Sequence, residues 1–225
     1  MHSTCGIILK REDFRERDER VTLYTRDFGK ISVIAKGLKR IEAKLRGNLD
    51  IFNFVDIIFV EGVNFYILTG VDLKSNFSSI TKDSSVYSAA LSAAQAVSYI
   101  FEERAKDKDF FEALHFTIKK LNEYASGNPS RASLYSWLLL KKFQMVILEN
   151  QGYKVNKESL SKNSELLFQM LKGSSHSSVS LSKQDFLNIE DSFTRSFEYF
   201  FSAGGGSAFG GNFKFSSWIP STEEK

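Results

Sequence analysis

Seven basic side chains crowd one short stretch: Arg26, Lys30, Lys36, Lys39, Arg40, Lys44 and Arg46, against only Asp27 and Glu42. The local excess of five positive charges is larger than the +3 of the whole 225-residue chain. Charge gathered in this way suits a polyanion, because each cation that meets a phosphate releases condensed counterions. Tyr24, Phe28, Phe52, Phe54, Phe65 and Tyr66 lie in the same third of the chain. Rings beside cations are what a single-strand-binding surface uses, since bases stack on them. Strands this apolar also need an inside, so most of these rings belong to a core and the charges are the stronger candidates. Gly37 and Gly47 bracket the run. Turning the chain is their ordinary role, and close approach of backbone N–H groups to phosphate is the alternative.

Other chemistry finds less support. Cys5 is the sole cysteine, which excludes an intramolecular disulfide and a cysteine-based zinc site. It sits in an apolar run without a base at hand, as a small buried hydrophobe would. His2, His115 and His176 have no ligand spacing, and His115 borders an apolar helical face. Asp56 and Asp72 would be the pair for a metal-dependent nuclease, though no spacing favours that over surface or turn roles. The glycine-rich stretch from Gly204 follows a helix and lacks the Lys-Ser/Thr pair of a phosphate loop. Dinucleotide and nucleophile-elbow motifs are absent. The expectation is a protein that is not an enzyme, with no metal and no cofactor. Without a run of about 18 apolar residues or a signal segment, a cytoplasmic location is expected, with no membrane partner.

The elements that must carry the basic run read as β over the first 75 residues. Apolar runs or period-two alternation mark strands over 5–10, 21–25, 31–35, 52–60 and 65–73. Gly29 turns the second strand into the third, and Glu61, Gly62, Val63 and Asn64 supply the last turn. Residues 37–50 separate strands three and four. Five short strands with a connector there match an OB-fold barrel, although another five-stranded barrel or a small sandwich satisfies the same spacing.

After a polar link over 75–85 the period becomes helical. Val86, Ala90, Ala93, Val97 and Ile100 form one stripe, and Phe111, Leu114, Ile118 and Leu121 another. Residues 134–148 are apolar almost all round, which predicts the central helix of a bundle ending near Gly152. A short helix is expected over 161–171, and a last one starts at Ser182 with Phe186, Ile189, Phe193, Phe197 and Phe200. The class is therefore α+β: an N-terminal OB-fold barrel over 1–78, then an all-α domain over 79–225. That domain carries a metal-free insert around 154–178 and a flexible glycine-rich tail.

Residues 4–10 (Thr-Cys-Gly-Ile-Ile-Leu-Lys), 21–31 (Val-Thr-Leu-Tyr-Thr-Arg-Asp-Phe-Gly-Lys-Ile), 33–40 (Val-Ile-Ala-Lys-Gly-Leu-Lys-Arg) and 44–52 (Lys-Leu-Arg-Gly-Asn-Leu-Asp-Ile-Phe) resemble, in order and spacing, the N-terminal domain of the RecO family. Residues 143–153, ending Gly-Tyr, resemble the close of a helix in that family, and residues 213–219 resemble its final segment faintly. The resemblance implies a DNA-binding recombination mediator acting in DNA repair after DNA damage. It would bind single- and double-stranded DNA, anneal complementary strands and, with RecR, help load RecA on strands coated by single-stranded DNA-binding protein. It places DNA contacts on Lys36, Lys39, Arg40, Lys44 and Arg46, with Arg26 and Lys30 nearby. The acidic, apolar-ended tail of the single-stranded DNA-binding protein would seek a pocket rimmed by cations, for which Lys141 and Lys142 are candidates. Two departures stand out. The four-cysteine zinc module that many members carry after Gly-Tyr has no counterpart, and Ala43 stands where serine is common. An OB-fold RNA-processing or translation factor is the alternative reading.

Overall fold

The computed structural model describes residues 1–38, 47–127, 129–153 and 183–202. Lys39, Arg40, Lys44 and Arg46 lie outside the described residues, as do the helix expected over 161–171, the insert and the tail from Gly204. Strands β1 (His2–Phe14), β2 (Asp18–Thr25), β3 (Gly29–Ala35), β4 (Phe54–Glu61) and β5 (Tyr66–Ser75) come first. Antiparallel pairing joins β1 to β2, β2 to β3, β1 to β4 and β4 to β5. A short parallel pairing of Val33 with Tyr66 and Ile34 with Ile67 closes the sheet. The barrel runs in the order β1-β2-β3-β5-β4.

The β1–β2 hairpin is longer than the apolar pattern suggests. Phe14 pairs with Asp18 across a turn in which Arg15 takes φ 59°. Glu12 and Asp13 are exposed there, and the ladder hydrogen bonds continue where apolar alternation has stopped. Cross-strand charge supports the extension: Arg11 binds Glu19 at 2.8 Å and Asp50 at 2.9 Å. Between β2 and β3, Gly29 has φ 65°, and a Cβ there would lie 2.3 Å from the Ala105 carbonyl oxygen. Only glycine fits that approach.

The barrel interior is filled by Ile8, Leu23, Val33, Ile57, Phe59 and their neighbours. Its outer wall is covered as well. A bulge between Ile8 and Lys10 interrupts the register of β1. Ile7, Leu9, Tyr24 and Phe52 all join the core of the helical part. Double coverage explains why Gly6, Ile7, Ile8 and Leu9 are buried in succession rather than alternately.

A 3₁₀ turn (Ser78–Lys82) leads to α1 (Ser84–Ile100), α2 (Lys108–Ala125), α3 (Pro129–Asn150) and α4 (Lys183–Ser202). Asp83 caps α1, accepting from the Ser85 and Val86 amides at 2.9 and 3.0 Å. Asp107 caps α2 through the Phe110 amide at 2.9 Å. Ala89, Ala90, Ala93, Ala94 and Ala96 are buried along α1, so α3 can approach it closely. Helix α3 is the bundle centre, packed by α1, α2 and α4. It stops at a left-handed Gly152, φ 81°, with the Tyr153 amide donating to the Leu148 carbonyl at 2.8 Å. No helix among the described residues is long and apolar enough to cross a membrane.

Candidate nucleic-acid interface

The connector holding most of the basic run is rooted in the barrel at both ends. Leu38 and Leu49 are buried in the barrel core. The Gly37 amide donates to Asp18 at 2.9 Å, and Gly37 takes φ 69°. On the return, buried Asn53 donates to the Gly47 and Asn48 carbonyls at 3.1 and 3.2 Å and accepts from the Phe77 amide at 3.3 Å. This polar residue, which interrupts an apolar strand in the sequence, staples the connector to the start of the helical part.

The described members of the run differ in what they can offer a ligand. Lys36 is exposed beside the connector. Arg26 is exposed, with Glu112 4.0 Å away. Lys30 is half-buried, and its ammonium donates to the Ser98 carbonyl in the last turn of α1 at 2.6 Å. Burial pulls its pKa down, partly opposed by Glu103 and Glu102. Lys30 thus satisfies a helix C-terminus, where a cation is favoured.

Lys141 departs from the sequence expectation. It is 2% exposed, bound to Glu190 of α4 and donating to Gln144 at 3.0 Å. Burial lowers its pKa, opposed by Glu190. The physical reason is that α4 docks over this face of α3 and supplies the counter-charge, so Lys141 cannot rim an open pocket. Lys142, one residue on, is exposed.

Of the six rings named from sequence, Tyr24 and Phe52 are core, and Phe28 and Phe54 are half-buried against Phe59 and His115. Phe65 and Tyr66 instead meet arginines that sequence reasoning did not connect with them. Phe14 and Phe65 meet edge to face at 5.2 Å. The Arg20 guanidinium lies 5.0 Å from the Phe14 ring and 5.9 Å from Phe65, and Arg15 lies 5.2 Å from Phe14. Arg104, from the α1–α2 connection, covers Tyr66 at 5.1 Å. It is delivered there by its amide, which donates to the Lys30 carbonyl at 2.9 Å. No local pattern announces this cluster, because Arg104 is far from Tyr66 in sequence and residues 11–20 read only as a charged stretch.

The tip of the β4–β5 hairpin divides the surface here into two hollows. The larger, about 470 Å³, is lined by Arg20, Tyr66, Arg104, Glu61 and Glu103 among others. The smaller, about 170 Å³, is lined by Phe14, Arg15, Asp18 and Lys36 among others. Phe65 belongs to both.

The residues weighed for catalysis fall elsewhere. Burial raises the Cys5 thiol pKa, only partly offset by Arg26, which makes it a poor nucleophile. His115 stacks 4.3 Å from Phe54 and its pKa is lowered by burial, so it seats α2 on the barrel as a neutral ring. Asp56 and Asp72 are cross-strand neighbours, but Asp56 is held by Lys74 at 2.7 Å. No group of three candidate metal ligands occurs among the described residues.

A closed five-stranded barrel with this strand order, followed by helices, defines an OB-fold protein. Residues 1–77 match the family described as Recombination protein O N terminal. The similarity to RecO proteins is thus strongest over the barrel and extends into the helical part. The chain is 28% identical over 162 residues to the DNA repair protein RecO of Caldanaerobacter subterraneus, covering 70% of this chain and 64% of that protein. It is 28% identical over 154 residues to that of Roseiflexus (68% and 51%) and 29% identical over 123 residues to that of Listeria welshimeri (55% and 48%). The chain thus spans about half to two thirds of the length of these curated relatives.

Proposed function

We propose that this protein is a DNA-binding recombination mediator that anneals complementary single strands. With RecR it would assist RecA loading on strands coated by single-stranded DNA-binding protein. The observation that carries the reading is the cationic connector rooted by Leu38 and Leu49 at the edge of a RecO-type barrel. Arg26, Lys36, Lys39, Arg40, Lys44 and Arg46 form the proposed contact surface, with Lys30 belonging to the frame behind it. Such a surface holds two polyanions together and screens their repulsion, so pairing needs neither covalent chemistry nor nucleotide hydrolysis, and no enzymatic activity is assigned. Residues 1–78 act as the DNA-binding domain and residues 79–225 as the helical partner platform, where Lys142 is the remaining candidate for the acidic tail. A cytoplasmic location follows from the role.

Annealing of labelled complementary oligonucleotides, with and without single-stranded DNA-binding protein, tests this. The Lys36/Lys39/Arg40→Glu variant should lose annealing. If about five phosphates are contacted on a single strand, log K should fall with log salt at a slope of about −3.5. Tighter binding to RNA of the same sequence, or annealing unchanged in the variant, overturns the reading.

A further inference from the structure

We propose that the solvent face of α1 is a self-association surface, on which α1 of a second copy of this chain packs antiparallel about a two-fold axis. The inference does not involve nucleic acid and goes beyond the DNA-binding reading.

Composition comes first. Charged residues make up 25% of the chain, yet Ser84–Ile100 contains none. A helix at a protein surface ordinarily turns a charged face to water. Between Tyr87 and Tyr99 the outward residues are Tyr87, Ser88, Leu91, Gln95, Ser98 and Tyr99, with Ala90, Ala93 and Val97 buried behind them. Tyr87 is 38% and Tyr99 53% exposed. Tyrosine with few charges is the composition of the centre of a protein interface. A face without cations offers nothing to a phosphate backbone.

Symmetry selects the occupant. From Val86 to Ile100 the helix reads nearly alike from either end about Ala93. Tyr87 mirrors Tyr99, Ser88 mirrors Ser98, and Leu91 mirrors Gln95. In a two-fold interface residue i meets j and j meets i. An axis at the level of Ala93 therefore sets tyrosine on tyrosine and serine on serine, with Leu91 against the stem of Gln95 of the second copy. Tyrosine rings pair edge to face, and a serine hydroxyl both donates and accepts, so like satisfies like. With no charge on the face, like also does not repel like. Tyr87, Leu91, Gln95 and Tyr99 are spaced four residues apart and form a single ridge, and two such ridges interdigitate at a crossing of about −50°. Both ends of α1 are fixed to the barrel: the Tyr87 ring meets the buried Phe52 ring edge to face at 6.0 Å, and the Ser98 carbonyl accepts from the Lys30 ammonium at 2.6 Å. The ridge is about 18 Å long on a helix about 10 Å wide. That is well under the roughly 800 Å² per partner of a standard interface, so the dimer is weak, with Kd on the order of 100 µM.

Sedimentation equilibrium of the full chain from about 5 to about 500 µM, without nucleic acid, tests this. Wild type should show a reversible monomer–dimer equilibrium. The two copies of residue 95 sit on either side of the axis, about 6 Å apart along the helix. Gln95 is exposed, so Gln95→Glu and Gln95→Lys should each leave Tm unchanged, yet each should weaken the dimer at least about 10-fold through like charge across the axis. An equimolar mixture of the two variants should recover association to the wild-type level or better. Recovery needs both chains folded with residue 95 of each facing the other, which a loss of fold cannot mimic. A wild type that stays monomeric at about 500 µM overturns the proposal; a fall in Tm of Gln95→Glu alongside it would mean that another part of this chain lies on the face. A dimer indifferent to both variants, or a mixture that associates no better than either variant alone, puts the contact on another surface and overturns it too. None of these outcomes bears on DNA binding.

Discussion

Glu190 is the only carboxylate bound to the Lys141 ammonium among the described residues, and it also accepts from the Trp137 indole at 3.3 Å. Replacing it by glutamine keeps an acceptor for the indole and nearly the same volume, but leaves a 2% exposed ammonium without counter-charge. Breaking a buried pair in this way costs about 3–5 kcal/mol. The cost has a ceiling, because lysine can shed its proton. From the ordinary value of 10.5 down to about pH 8, neutralisation costs at most about 3.4 kcal/mol at about 1.36 kcal/mol per unit. Glu190→Gln is therefore expected to lose about 2–3 kcal/mol at that pH. The pH dependence fixes the sign. Burial already holds the folded pKa of Lys141 below its unfolded value, and the variant drops it further. Between the folded pKa and 10.5 the unfolded chain binds more protons, so stability rises with pH there. The deficit of the variant should shrink as pH climbs towards about 10. Lys141→Met with Glu190→Gln removes the buried charge and should return to within about 1 kcal/mol of wild type. Urea unfolding at several pH values reads all three. A Glu190→Gln variant as stable as wild type at about pH 8, or a deficit that does not narrow with pH, would refute the reasoning.

Gly29→Ala meets both a left-handed φ of 65° and the Ala105 carbonyl at 2.3 Å. A loss of at least about 2 kcal/mol is expected, read as a fall in Tm of roughly 4–8 °C. Lys30→Met should lose about 1.5–3 kcal/mol of stability with its charge-assisted bond to Ser98. Its salt slope on DNA should stay that of wild type, whereas Lys36→Glu should lower the slope at unchanged Tm. A reversed pattern would put Lys30 on the DNA and Lys36 in the frame.

Most of the architecture is written in local pattern. Alternation over residues 21–25 and 31–35 and the turn at residues 61–64 mark strands that the barrel contains, and the stripe from Val86 to Ile100 is the buried face of α1. Gly152 ends α3 as its type suggests. What escaped is what depends on a distant partner. The outer half of the first hairpin is held by ladder bonds and charge pairs such as Arg11 with Glu19, which leave no apolar period. Lys141 looks like a surface cation because the element that buries it, α4, lies some fifty residues on. Tyr66 was legible as a ring but not as the neighbour of Arg104, which reaches it only through the β3 backbone.

Strand β1 and the residues beside it form a party wall. Ile7, Leu9, Tyr24 and Phe52 face the helices, while Ile8 and Leu23 face the barrel lumen. A fragment cut after residue 77 would keep every strand of the family unit yet turn two large aromatics and two aliphatics out to solvent, an invitation to self-association. In this chain the front unit shares one masonry with the helices behind it, so the barrel mouth and the outer face of the bundle sit at a fixed offset from each other.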